Sequence, residues 1–175
     1  MLLGDTAAMR KARGAFFTPR PVARFVAEWA VTSPTDAVLE PSCGEAIFLH
    51  EVGATGHMGQ LVGVELHEAS ARESEHSLRA EGVNATVHAG DFFDHEPDGS
   101  YDAVIGNPPY VRYQDFSGEA RARSRRAALR AGVSLTGLAS SWVSFTVNSA
   151  LFLPSGRGAA GLSAPSRAAD GQLCE

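Results

Sequence analysis

The residues best suited to chemistry are Asn107-Pro108-Pro109-Tyr110, which follow the apolar run from Tyr101 to Ile105 and Gly106. Two consecutive prolines remove backbone donors and fix φ, so the turn is stiff and presents acceptors in place of N–H groups. Such a turn suits the gripping of one planar –NH₂ group. The Asn107 side-chain oxygen and the Pro108 carbonyl would each accept one N–H, while the Tyr110 ring stacks on the base that carries the amine. An aromatic amine is a poor nucleophile because its lone pair is delocalised into the ring. Accepting both protons pulls the nitrogen toward sp³ and localises that pair. Positive charge grows on nitrogen during attack, so these acceptors bind the transition state more strongly than the ground state. Pro-Pro alone is more often a plain stiffened loop, and it is the upstream sequence that favours the chemical reading.

Upstream stand several strands that end in acids. Ala37-Val38-Leu39 runs into Glu40-Pro41-Ser42-Cys43-Gly44, Leu61 to Val64 runs into Glu65, and Ala85 to Gly90 runs into Asp91. Each is a short apolar or β-branched run, and helical patterns lie between them. The expected architecture is α/β: an open, mainly parallel sheet with flanking helices and ligand groups gathered at the carboxyl ends of its strands. One acid at a strand end is a solvated terminus by default; a succession of them, followed by Asn107, predicts a crevice.

Taken in order, Gly14-Ala15-Phe16-Phe17-Thr18-Pro19, Leu39 to Gly44, Gly63-Val64-Glu65, Gly90-Asp91-Phe92 and Asn107 to Arg112 resemble the adenine-specific, amino-directed DNA methyltransferases of type II restriction–modification systems. Each segment alone is weak, but the series is specific and covers roughly the first two thirds of the chain. Ala46 departs from the pattern, standing where the family usually has a second glycine after Cys-Gly. The resemblance implies a Rossmann-like methyltransferase fold, here incomplete at its C-terminus, and S-adenosyl-L-methionine as cofactor. It implies that Glu40 meets the methionine ammonium, directly or through its loop, with Pro41, Cys43 and Gly44 alongside. Glu65 would accept from both ribose hydroxyls, Asp91 from the exocyclic amine of the cofactor's adenine, and the Phe92 backbone N–H would reach a ring nitrogen. Thr18 is expected near the methionine end. Asn107, Pro108 and Tyr110 are the expected catalytic residues, with Tyr110 and Arg112 also touching double-stranded DNA from which the target adenine has been flipped. No metal and no covalent nucleophile is needed, because the sulfonium already makes the methyl carbon electrophilic.

Length and composition fit one soluble domain: 175 residues with a formal net charge of −5. That charge argues against a surface that grips nucleic acid all round. Arginines nevertheless crowd the segment from Arg112 to Arg130, beside the proposed base pocket, where phosphate contacts and a solvated helical face are equally good readings. No apolar run is long enough to span a bilayer, no secretory leader is apparent, and Cys43 and Cys174 form neither a metal pattern nor a disulfide framework, so a cytoplasmic setting is expected.

The elements that must position these residues are legible in outline. Thr18 reads as an N-cap with Pro19 at the first helical position, and Val22, Phe25, Val26 and Trp29 recur at helical spacing as the buried face. Further helices are predicted after Ala46, from Glu68 to Ala80 before Gly82, over the arginine-rich stretch, and from Trp142 to Leu153. Phe92 and Phe93 read as walls of a purine slot, one of them as a core residue. Residues 1–156 are expected to be the N-terminal part of a catalytic domain. Residues 157–175, rich in Ala, Gly, Ser and Arg, lack the apolar strand that should come next and read as an atypical tail, with a change of coding frame near Arg157 as a hypothesis; an uninterrupted gene would sink it.

On these grounds the chain is expected to be a fragment of a DNA adenine-N6 methyltransferase, with any target-recognition domain or restriction nuclease, fused or separate, lying outside it. The same tetrapeptide suits methyltransferases acting on a protein glutamine or on guanine N2 of ribosomal RNA, and a non-catalytic cofactor-binding remnant is a further alternative. A dinucleotide-dependent oxidoreductase is disfavoured, since no G-x-G-x-x-G follows the first strand.

Overall fold

The computed structural model describes residues 18–109, 117–135, 140–154 and 159–162. Its centre is a five-stranded sheet in the order β3-β2-β1-β4-β5. The strands are β1 (Val38–Pro41), β2 (Leu61–Glu65), β3 (Ala85–Ala89), β4 (Ala103–Gly106) and β5 (Ala159–Leu162), and every neighbouring pair is parallel. Helix α1 (Arg20–Ala30) precedes β1, and helices α2 (Ile47–Gly53), α3 (Glu68–Ala80), α4 (Gly118–Arg130) and α5 (Ser141–Ala150) lie between later strands.

Strand alternation divides the core into two layers. Val38, Leu61, Ala103 and Ile105 face α1, α2 and α3, and pack with Ala23, Ala27, Phe48, Leu49, Val52 and Leu78. Leu39, Val62, Val64 and Val104 face the other way, onto Phe92, Phe93, Ala127, Phe145 and Phe152. Both faces of β1, β2 and β4 are therefore covered, which is why these strands read as apolar runs without a polar alternation, whereas β3 at the sheet edge exposes Thr86 and His88.

Three expectations need correcting. The buried face of α1 is not Val22, Phe25 and Trp29, which are 43%, 70% and 60% exposed; the helix turns Ala23, Ala27 and Ala30 inward, and only Val26 of the expected stripe packs against the core. Alanines let α1 lie close against α2 and the sheet, a packing that bulkier side chains would hold apart. Thr18 is not the cap either: Pro19 occupies that position, and no side chain caps the helix. Finally, a strand does follow Arg157. Ala159–Leu162 pairs with Ala103–Gly106 of β4, so small residues of poor intrinsic strand propensity are drafted into the sheet by the partner strand.

Candidate active site

The carboxyl ends of β1 to β4 lie side by side. The parallel register sets Pro41 opposite Val64 and Glu65 opposite Ala89. On the other flank Leu39 pairs with Val104, and the Pro41 carbonyl lies 3.4 Å from where a Cβ on Gly106 would stand. The loops after Pro41, Glu65, Ala89 and Gly106 thus leave along one edge of the sheet, the edge at which open α/β sheets take ligands.

Period-two alternation also decides where the acids point. Glu40 lies two residues after Val38, so it faces α2 and is buried, with 2% exposure. Its Oε2 accepts the Leu49 N–H at 3.0 Å, within the first turn of that helix. Burial pushes its pKa up to about 8, against a smaller lowering by the Leu49 and Phe48 N–H groups. Of the two roles expected for Glu40, acting through its loop matches this inward placement; the side chain does not face outward as a direct ligand would.

Glu65 lies on the same face of β2 as Leu61 and Gly63. Its Oε2 accepts the Gly44 N–H at 3.0 Å and its Oε1 accepts the His67 N–H at 3.0 Å. Each oxygen retains a further acceptor position. Gly63 makes this closeness achievable, since a Cβ there would stand 2.9 Å from the Cys43 sulfur. The loop from Pro41 to Ala46 is bound down by the Cys43 N–H to the Val64 carbonyl at 2.8 Å, and by the Ser74 hydroxyl to the Gly44 carbonyl. Ser42, Gly44 and Ala46 all have positive φ, of 53°, 55° and 55°. A Cβ on Gly44 would meet nothing within 4 Å, so open space lies over this part of the loop. Ala46 explains its own departure from the family pattern: a glycine would hold the left-handed conformation that alanine adopts here at a cost. Cys43 is buried, and desolvation first, then the Glu40 and Glu65 charges, drives its thiol well above its usual pKa, which removes it as a nucleophile.

At the end of β3, Asp91 Oδ1 accepts the Phe93 N–H at 3.0 Å, opening a short 3-10 turn over Phe92–Asp94. The side chains of Phe92 and Phe93 do not wall a slot. Both are buried against Phe145, with ring centroids at 5.5 and 4.7 Å, because the turn directs them into the second core layer. A role for Phe92 at the site would have to be played by its backbone.

At the end of β4, the Asn107 Nδ2 donates to the Thr18 hydroxyl at 3.2 Å, and the Ser141 hydroxyl donates to the Pro109 carbonyl at 2.5 Å. Asn107, Pro108 and Thr18 are thus brought to the same edge as Glu65 and the Gly44 loop; Tyr110 and Arg112 lie outside the described residues. The arginines of α4 are largely committed within the chain. Arg123 reaches Asp94 at 3.0 Å and Asp91 at 3.4 Å, Arg126 reaches Glu119 at 3.2 Å, and Arg130 reaches Glu96 at 3.1 Å and the Phe93 carbonyl at 2.7 Å. These pairings weaken the phosphate-contact reading for those residues.

Sequence reasoning missed Ser74 and Ser141. Ser74 left a trace, falling at helical spacing between Ala71 and Leu78 on the buried side of α3. Ser141 left none, since a serine opening a helix reads simply as a terminus.

The fold and this edge define a class of protein. A structure from Listeria monocytogenes, assigned to the class I S-adenosylmethionine-dependent methyltransferases, superposes with a TM-score of 0.57 and 16% identity over 77% of this chain and 41% of that one, which establishes the shared fold. The model of the N-6 DNA methylase family matches residues 1–159, and the chain belongs to that family. Among curated relatives, it is 31% identical over 97 residues to the type II methyltransferase M.CvrRI of Paramecium bursaria Chlorella virus XZ-6E, covering 55% of this chain and 24% of that protein. It is 33% identical over 108 residues to M.XamI of Xanthomonas campestris pv. amaranthicola, covering 59% and 20%. The matched region is thus a quarter or less of either relative's length.

Proposed function

We propose that this chain carries the cofactor-binding and amine-gripping part of a DNA adenine-N6 methyltransferase of the restriction–modification kind, acting in the cytoplasm on double-stranded DNA whose target adenine is flipped out. The observation that carries the reading is the common edge: Glu65 tied to the Gly44 N–H, next to a β4 tip that ends in Asn107-Pro108-Pro109. The family match supplies the amine as the reacting group.

The residues present fit S-adenosyl-L-methionine. Open space stands over Gly44, and Glu65 offers acceptor positions beyond those its two N–H partners take. Glu65 would take the ribose hydroxyls, Asp91 the exocyclic amine, the Phe92 backbone the adenine ring, and the loop of Pro41, Cys43 and Gly44, braced from inside by Glu40, the methionine end. When bound, this cofactor supplies a methyl group on a positively charged sulfur, activated without a metal or a covalent enzyme intermediate.

The chain's own part is to prepare the nucleophile. Asn107 Oδ1 and the Pro108 carbonyl accept the two N–H bonds of the target amine, localise its lone pair and stabilise the positive charge that grows on nitrogen. Tyr110 holds the flipped base by stacking, and Arg112 contacts the DNA strand. The amine loses one proton after transfer, so no base with a tuned pKa is required.

Calorimetric titration of the chain with S-adenosyl-L-methionine tests the crevice, and a tritium-transfer assay on duplex DNA tests the reaction. Saturable binding that Asn107→Ala preserves, together with transfer that it abolishes, is expected. Absence of binding by a folded chain, or turnover surviving in Asn107→Ala, overturns the reading.

A further inference from the structure

We propose that Thr18 is a positioning residue that holds the plane of the Asn107 carboxamide. The inference rests on the reading of Asn107 as an acceptor for the target amine. It gives Thr18 a role different from the methionine contact that its neighbourhood in the sequence suggests.

The backbone of the turn has little freedom of its own. Pro108 and Pro109 fix two successive φ angles, and the Ser141 hydroxyl anchors the Pro109 carbonyl at 2.5 Å from a helix that begins well downstream. The terminal amide of Asn107 rotates about a broad and soft torsion. The Asn107 Nδ2 to Thr18 Oγ1 hydrogen bond, 3.2 Å long and spanning 89 residues, restrains that rotation. Thr18 is available for it because no side chain caps α1, whose first carbonyl acceptor is that of Pro19.

The chemistry makes this restraint matter. The two ends of a carboxamide have almost the same shape and opposite hydrogen-bonding character. A hydroxyl accepts as readily as it donates, so Thr18 tolerates either end and restricts the amide to orientations half a turn apart. With Nδ2 on Thr18, Oδ1 is directed away from it. The target amine offers only donors and selects that same orientation. Thr18 therefore supplies the plane and the amine supplies the sense, and the two hydrogen bonds reinforce one another through one amide.

The test uses the ¹⁵N-labelled full chain with Thr18→Val, Thr18→Ala and Thr18→Ser. The Asn107 side-chain –NH₂ signals are identified by their loss in Asn107→Asp. Expected are at least a fivefold faster solvent exchange of those protons in the Val and Ala variants, an exchange rate within twofold of the parent in the Ser variant, and a dissociation constant for S-adenosyl-L-homocysteine within threefold of the parent throughout. Unchanged exchange in a folded Val or Ala variant overturns the proposal. So does a tenfold or greater loss of S-adenosyl-L-homocysteine affinity with exchange unmoved, which would make the hydroxyl a cofactor ligand. If the parent binds no S-adenosyl-L-homocysteine while exchange still rises in the Val variant, the contact stands and the methyltransferase reading of the site falls.

Discussion

Glu65 and Gly44 are joined across the crevice: the carboxylate that closes β2 accepts the Gly44 N–H at 3.0 Å, although 21 residues separate the two. The other oxygen accepts from His67. One side chain therefore fixes the loop that follows β1 and the turn that follows β2 at once.

Glu65→Gln tests that double tie. Its –NH₂ end must meet one of two N–H donors, so one hydrogen bond becomes a donor–donor conflict. A loss of about 1–3 kcal/mol in unfolding free energy is expected from an unsatisfied buried donor, together with at least a tenfold weaker affinity for S-adenosyl-L-methionine. Denaturant unfolding and calorimetry read the two effects. An unchanged unfolding midpoint would show that the tie contributes nothing.

Glu40 makes stability depend on pH. Its folded-state pKa is raised by burial to about 8, from an ordinary value of 4.5, so between those values the folded chain holds a proton that the unfolded chain releases. The contribution is fully present below the unfolded value and is lost as pH rises through the folded one. Glu40→Gln removes this titration. Its stability should overtake that of the parent as pH rises from about 5 to about 8, by on the order of a few kcal/mol. Parallel stability profiles for the two proteins across this window would contradict the assignment.

These two carboxylates also show what the sequence could and could not convey. Acids ending apolar runs located the strand tips and the crevice, because a parallel sheet buried on both faces writes itself as short apolar strands. Alternation puts Glu40 on the same face as Val38, yet its burial and its partner at Leu49 depend on how α2 docks, a tertiary fact. The face of α1 was misjudged because Phe25 and Trp29 outweigh alanines in any hydrophobic pattern, while packing favoured the alanines. Phe92 and Phe93 were ambiguous for the same reason: an aromatic pair reads alike in a core and in a slot. The strand over Ala159–Leu162 had almost no local signal, since pairing with β4 is what makes it one.

The orientation of α1 is open to a direct comparison. Phe25→Ser and Trp29→Gln alter side chains that are 70% and 60% exposed, and each should change stability by no more than about 0.5 kcal/mol. Ala27→Leu, at 4% exposure, forces extra methylenes into a packed contact and should cost about 1–3 kcal/mol. Thermal unfolding of the three variants would reveal the opposite ranking if the aromatic stripe were the buried one.

Ala46 offers a test of backbone strain. It adopts φ 55° and ψ 37° immediately before α2. Ala46→Gly relieves a left-handed alanine at about 1 kcal/mol or a little more, while greater chain entropy in the unfolded state takes back about 0.5–1 kcal/mol. Stability should therefore be unchanged or rise slightly, whereas Ala46→Val should lose several-fold more than an ordinary surface change. A clear loss in the glycine variant, measured by denaturant unfolding, would mean that the buried methyl group outweighs the strain.

Gly63 and Cys43 provide the sharpest probe of the crevice floor, because their closeness is needed for Glu65 to reach Gly44. An added Cβ at Gly63 would lie 2.9 Å from the Cys43 sulfur and 3.4 Å from its Cβ. Gly63→Ala must therefore push the loop off the strand or strain it, at about 1–3 kcal/mol. Cys43→Ala removes the sulfur and leaves the two contacts at 3.4 Å, with the Cβ of residue 43 and with the Leu49 side chain. If the clash is the cause, the double variant Gly63→Ala with Cys43→Ala should be more stable than the sum of the single changes predicts, with a coupling of about 0.5–3 kcal/mol. Affinity for S-adenosyl-L-methionine should recover in parallel, since the Gly44 N–H returns to Glu65. Strict additivity in both measurements would mean that Gly63 acts through something other than its approach to Cys43.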